Sequence, residues 1–144
     1  MQQLSFAELL RRTIKLLTAL EQTLANQAQT PSTPRVGLLA RALVEQETEL
    51  IATVTRILDK QGARVRERNW LLNDDFPTLE TTPDYFDSRL LAMWLVGNVS
   101  KLANYFQPLA EKRQPGQDAL SELHRLFVAH GKRLALECHR FEDL

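Results

Sequence analysis

The stretch RNWLLNDDFPTLETTPDYFD, Arg68 to Asp87, decides how this chain is organised. It has no helical periodicity, yet it carries Trp70, Leu71, Leu72, Phe76 and Leu79, which a flexible linker would not. A connector of roughly twenty residues inside a compact domain needs anchors, because ordering it loses conformational entropy. Fully extended it reaches about 70 Å, whereas helices of some 23 to 30 residues are only about 35 to 45 Å long. The segment is therefore long enough to travel the length of a helical bundle. On that reading Trp70 and the leucines are buried on the bundle wall, and the polar runs Asn73-Asp74-Asp75 and Glu80-Thr81-Thr82 stay wet.

Helical patterns flank the stretch on both sides. Ser5 followed by Glu8 has the form of a capping box, and Phe6, Leu10, Thr13, Leu17, Leu20 and Leu24 then recur at helical spacing. This predicts a helix over about 6–28. Pro34 suits a first helical turn, and Val36, Leu39, Leu43, Leu50, Val54 and Ile57 mark a second helix over about 35–61. A third, over about 84–113, would bury Leu91, Trp94, Leu95, Val99, Leu102, Phe106 and Leu109, with Pro108 kinking its last turn. After QPGQD a fourth, over about 118–143, carries Leu120, Leu123, Phe127, Leu134, Cys138 and Phe141.

The connections are short, long and short, so the helices pair as two hairpins in one domain spanning 1–144. The expectation is an all-α, antiparallel four-helix bundle. With a full-length crossover over 62–83 it is ferritin-like; with a merely looped-out segment it is a simple up-down-up-down bundle.

Composition bounds the partners. Hydrophobic residues make up 44% and charged residues 25%, and there are only five glycines, a globular and mainly helical profile. Lys plus Arg and Asp plus Glu both number 18, so no global field draws the chain to nucleic acid or an anionic membrane. The longest uncharged apolar run, Leu90 to Val99, is about half of what a membrane span requires. A single cysteine, Cys138, fits a reducing cytoplasm and excludes an internal disulfide. No signal peptide is expected, because Glu8, Arg11, Arg12 and Lys15 interrupt the first apolar positions.

Several polar residues fall on apolar faces. At 100° per residue Glu47 lies mid-stripe between Leu43, Leu50 and Val54, and Glu21 lies on the edge of the first helix's stripe. A carboxylate there must be protonated, hydrogen-bonded, paired or bound to metal. Asp87 and Asn98 share the side of Leu91 and Trp94. His124 and His130 flank the fourth stripe on opposite edges, where local hydrogen bonding at partly exposed positions is expected, and Gly131 inside that stripe suggests a close helix approach. The basic run Arg56, Lys60, Arg64, Arg66 and Arg68 beside Trp70 could grip phosphates with the indole stacking on a base, but interleaved Asp59 and Glu67 favour a solvated helix end.

The hairpin LLTALEQTLANQAQTPSTPRVGLLARALVEQETELIATVTRILDK, Leu16 to Lys60, resembles the first half of a rubrerythrin-type member of the ferritin-like superfamily. The likeness rests on helix register, a break of similar length, and Glu47 standing where such families place a metal-binding Glu. It implies a bundle holding two irons through Glu residues and Glu-x-x-His pairs. Here Leu50 stands three residues after Glu47 where a His would be needed, and the body of the third helix offers Asn98 rather than Glu. The resemblance thus implies the fold with most of the metal ligands missing.

No phosphate-cradling glycine loop, nucleophile elbow or zinc helix occurs, so no enzymatic chemistry is expected. The leading expectation is a non-enzymatic bundle acting through protein contacts, as a homo-oligomer or adaptor, with Leu90, Met93 and Trp94 as the contact patch, since the third helix's apolar arc is wider than one face requires. The alternative is a divergent ferritin-like protein binding iron, another divalent metal or a small ligand through Glu21, Glu47 and His130. Nucleic acid and membrane are not expected as partners.

Overall fold

The computed structural model describes residues 2–72 and 75–142. A short strand, β1 (Gln2–Ser5), leads straight into α1 (Phe6–Gln29). After a turn, α2 (Pro34–Asp59) runs back to a single helical turn, α3 (Ala63–Arg66), and a second strand, β2 (Asn69–Leu72). The chain then crosses to α4 (Ser88–Ala110) and closes with α5 (Gln117–Glu142). Among the described residues the fold is mainly helical, and no helix is long and apolar enough to cross a membrane.

The helix starts are chemical. Ser5 Oγ accepts from the Glu8 amide at 3.1 Å and donates to Glu8 Oε1 at 3.2 Å. Thr33 Oγ1 accepts from Val36 N at 3.2 Å ahead of Pro34, and Asp87 Oδ1 accepts from Leu90 N at 2.7 Å. Each cap satisfies an amide that the helix itself leaves without a partner. The Asp87 cap explains why α4 begins at Ser88 and not near 84. Pro108 sits in its last turn, and α4 ends at Ala110 with Lys112 N bonding back to Leu109 O, short of the expected 113.

The small sheet was not foreseen. β1 and β2 pair antiparallel, with Leu4 opposite Trp70 and Gln2 opposite Leu72, and Phe6 N extends the ladder to Arg68 O at 2.8 Å. Alternation on the pleat buries Trp70 and Leu72 and leaves Leu71 exposed, so Leu71 is not one of the expected anchors. Trp70 is fully buried, as expected, and is therefore not available to stack on a base beside Arg64, Arg66 and Arg68.

Three contacts fix the direction of the second hairpin. Ser32 Oγ, in the α1–α2 turn, donates to the carbonyl of Phe86 just before α4. Lys112 Nζ, just after α4, donates to Leu71 O at 3.0 Å. Gly116, the only described residue with positive φ at 98°, turns the chain into α5 so close to Phe6 and Val65 that a Cβ would come within 3.3 Å of both. α4 therefore starts at the end far from the sheet and finishes beside it, parallel to α2. Residues 75–87, the strap, lead from one end of the molecule to the other.

The strap lies between α1 and α4, which otherwise approach each other little. Trp94 Nε1 donates to Glu80 O at 3.2 Å, and Asn98 Oδ1 accepts from Glu80 N at 3.0 Å. Both backbone groups of Glu80 are thus held from positions i and i+4 of α4, and one helical turn further Lys101 Nζ reaches Glu80 Oε1 at 2.7 Å and Thr78 O at 3.3 Å. Phe76 meets Tyr105 edge-on at 5.3 Å and Phe86 meets Trp94 at 5.8 Å. Asp75, Glu80, Thr81 and Thr82 are exposed as expected, while Asn73 and Asp74 lie outside the described residues.

Gly131 corrects another expectation. A Cβ there would meet only Val99 Cγ1, at 3.9 Å, an ordinary contact, so the residue marks no close approach. Gly131→Ala should stabilise the protein by about 0.5–1 kcal/mol through helix propensity, read from the midpoint of urea unfolding. Asn98→Leu should destabilise by about 1–3 kcal/mol, because it strips the Glu80 amide of its partner, and should speed hydrogen exchange at that amide. Lys101→Met, which removes a half-exposed ion pair, should cost less than about 1 kcal/mol; equal losses from the two variants would refute the clamp as the anchor of the strap.

Candidate functional site

α2 and α5 meet over a buried acid–base pair. Glu47 is fully buried, with buried Leu43 and Leu50 one turn to either side, and its Oε1 lies 2.5 Å from Nε2 of His130, which is 3% exposed. Among the described residues no group donates to Glu47 Oε2. A hydrogen bond joins the two atoms and fixes the imidazole edge that faces the acid. The expectation of a partly exposed His130 thus gives way to a buried one, while His124 remains at the half-buried edge of α5.

Glu21 does not join them. Its Oε2 accepts from Thr48 Oγ1 at 2.9 Å on the α1–α2 seam. Thr48 is the residue after Glu47, so the two carboxylates approach α2 about 100° apart and cannot converge. Of the three expected ligands, the fold brings together Glu47 and His130 only. Among the described residues no group of three or more His, Cys, Asp or Glu side chains is arranged to hold a metal ion. Coordination also requires donor atoms about 2 Å from the ion, further apart from each other than 2.5 Å. The donor set does not fit a two-iron centre.

A recess of about 110 Å³ runs along the same seam, walled by Gln46, Leu50, Leu126 and His130. Glu49 and Arg133, both largely exposed, stand 3.9 Å apart on its rim. Gln46 Oε1 is buried there without a donor. His130 borders the recess but stays 3% exposed.

The expected contact patch also divides. Trp94 is buried and spends its indole N–H on the strap, so it is not a surface residue. Leu90 and Met93 are exposed. The pair Glu47–His130 and the approach of Gly131 to Val99 set the axial register, which puts Leu136 level with about residue 41 on α2 and about residue 94 on α4. Leu38, Tyr85, Leu90, Met93 and Leu136 therefore stand within about two helical turns of one another in height, at the end away from the sheet. They are five of the seven exposed large apolar side chains among the described residues. Leu38, Tyr85 and Leu136 were not singled out in the sequence, because an exposed apolar residue on a helix or loop gives no local signal.

Comparison with protein-family models, with curated proteins and with solved structures returns no match.

Glu47→Ala should destabilise the protein by about 3–5 kcal/mol, since it leaves His130 buried without its partner. The double variant Glu47→Leu, His130→Phe should recover most of that loss, because an apolar pair of similar volume leaves no polar group stranded. Chemical denaturation of the two single variants and the double variant measures the coupling. Additive losses would mean that the two side chains do not act as a pair.

Proposed function

We propose that this chain is a non-enzymatic, ferritin-like four-helix bundle of the cytoplasm that works through protein contact, pairing with a second copy of itself through the apolar end. The carrying observation is the concentration of Leu38, Tyr85, Leu90, Met93 and Leu136 at that end, in a chain whose buried core is otherwise well closed. Large exposed apolar side chains gathered toward one end are what a contact between copies can cover.

The choice of a second copy follows from charge. The chain's formal net charge is +0, so two copies do not repel. Around that end Asp84 and Asp87 accompany Arg35, Arg89 and Arg140, all exposed, a mixture of signs that an isologous contact can match with itself. The parallel course of α2 and α4 supports the ferritin-like assignment, since a simple up-down-up-down bundle has no use for a strap of full length. In this reading Glu47 and His130 tie α2 to α5 and hold no resident metal, which elemental analysis of protein purified without chelator checks.

Sedimentation velocity over a concentration series should show a monomer–dimer equilibrium. Met93→Glu combined with Leu136→Glu should weaken it at least tenfold while leaving the helical circular dichroism unchanged, because both residues are exposed. A wild-type chain that stays monomeric at the highest concentrations overturns the proposal.

A further inference from the structure

Beside α1 the strap leaves an open groove of about 520 Å³, within the size range of small-molecule sites. Leu16 and Ala19 form its helical wall, and Phe76, Pro77 and Leu79 form the opposite one. The lining is apolar, and Leu79 and Phe76 are only half-buried, so the surface they present is left partly uncovered.

Two cations border this surface. Arg12 and Lys15 are both exposed, lie one helical turn apart on α1, and have no ion-pair partner among the described residues. The nearest candidate along the helix, Glu8, is engaged by the Ser5 hydroxyl at the N-terminus of α1. Asp75 borders a separate groove on the α4 side of the strap, with Lys101, Asn104 and Tyr105. The strap runs parallel to α1, so the cations lie toward the sheet end of the groove and Ala19 and Leu79 toward the other. The result is an apolar channel with positive charge at one end.

We propose that this groove binds an amphiphilic monocarboxylate, its alkyl chain lying on Leu16, Ala19, Phe76, Pro77 and Leu79 and its carboxylate between Arg12 and Lys15. The apolar wall supplies affinity in proportion to the methylenes covered, and the cations select an anionic head over a neutral or cationic one. The site is distinct from the apolar end and does not depend on self-association.

The test is an NMR titration of the isotopically labelled full chain with hexanoate, octanoate, octan-1-ol and octyltrimethylammonium, all below their micellar concentrations. Octanoate should shift resonances of Lys15, Leu16, Ala19, Phe76 and Leu79 saturably and bind roughly tenfold tighter than hexanoate, as two further covered methylenes require. Arg12→Gln with Lys15→Gln should weaken octanoate at least tenfold and leave octan-1-ol unchanged. Ala19→Leu, which fills the groove, should weaken both ligands with circular dichroism unaltered. Equal affinity for octanoate and octyltrimethylammonium overturns the proposal, as do shifts confined to other residues. So does a chain that sediments with anionic phospholipid vesicles but ignores octanoate.

Discussion

An extended segment laid along a helical surface must find partners for its peptide groups, and here a clamp on α4 holds two of them at one residue. Trp94 and Asn98 take the carbonyl and the amide of the same residue, Glu80, from consecutive turns. Without that grip the strap would be a long loop whose ordering is opposed by conformational entropy alone. With it, the strap fills the space between α1 and α4, carries the chain from one end to the other, and sets the second hairpin parallel where a tight connection would have set it antiparallel. The groove beside α1 follows from that placement.

The two seams between the hairpins differ in kind. α2 meets α5 directly, through a hydrogen-bonded acid and imidazole that are shut away from water. α1 meets α4 through the strap, with open grooves on both of its flanks. The first seam is dry and specific in register; the second is a filled gap. Sites for small molecules are found more readily in the second kind, because an inserted segment rarely matches both neighbours along its whole length.

Much of the helical framework was legible from periodicity and caps. Ser5 with Glu8 and Pro34 mark the starts of α1 and α2, the cap at Asp87 was not anticipated, and the anomalous Glu47 and Asn98 both proved to be buried polar groups with specific partners. Their partners were harder to see. His130 lies at the edge of the α5 stripe, and whether an edge position is wet or dry depends on the neighbouring helix and not on its own sequence. Gln2 to Ser5 gave no strand signal, since four residues hold no usable period and Leu4 pairs with Trp70, far along the chain. Trp94 looked like surplus apolar surface because its indole N–H is invisible to a hydrophobic pattern.

The short sheet also bears on how the chain is made. Both strands lie within residues 2–72, so the ladder can close beside α1 and α2 without any residue of α4 or α5. During vectorial synthesis the ladder can form before α4 has left the ribosome, while Glu47 and the α2 face that α5 later covers stay open. The strap would then dock when Trp94 and Asn98 arrive, ahead of α5.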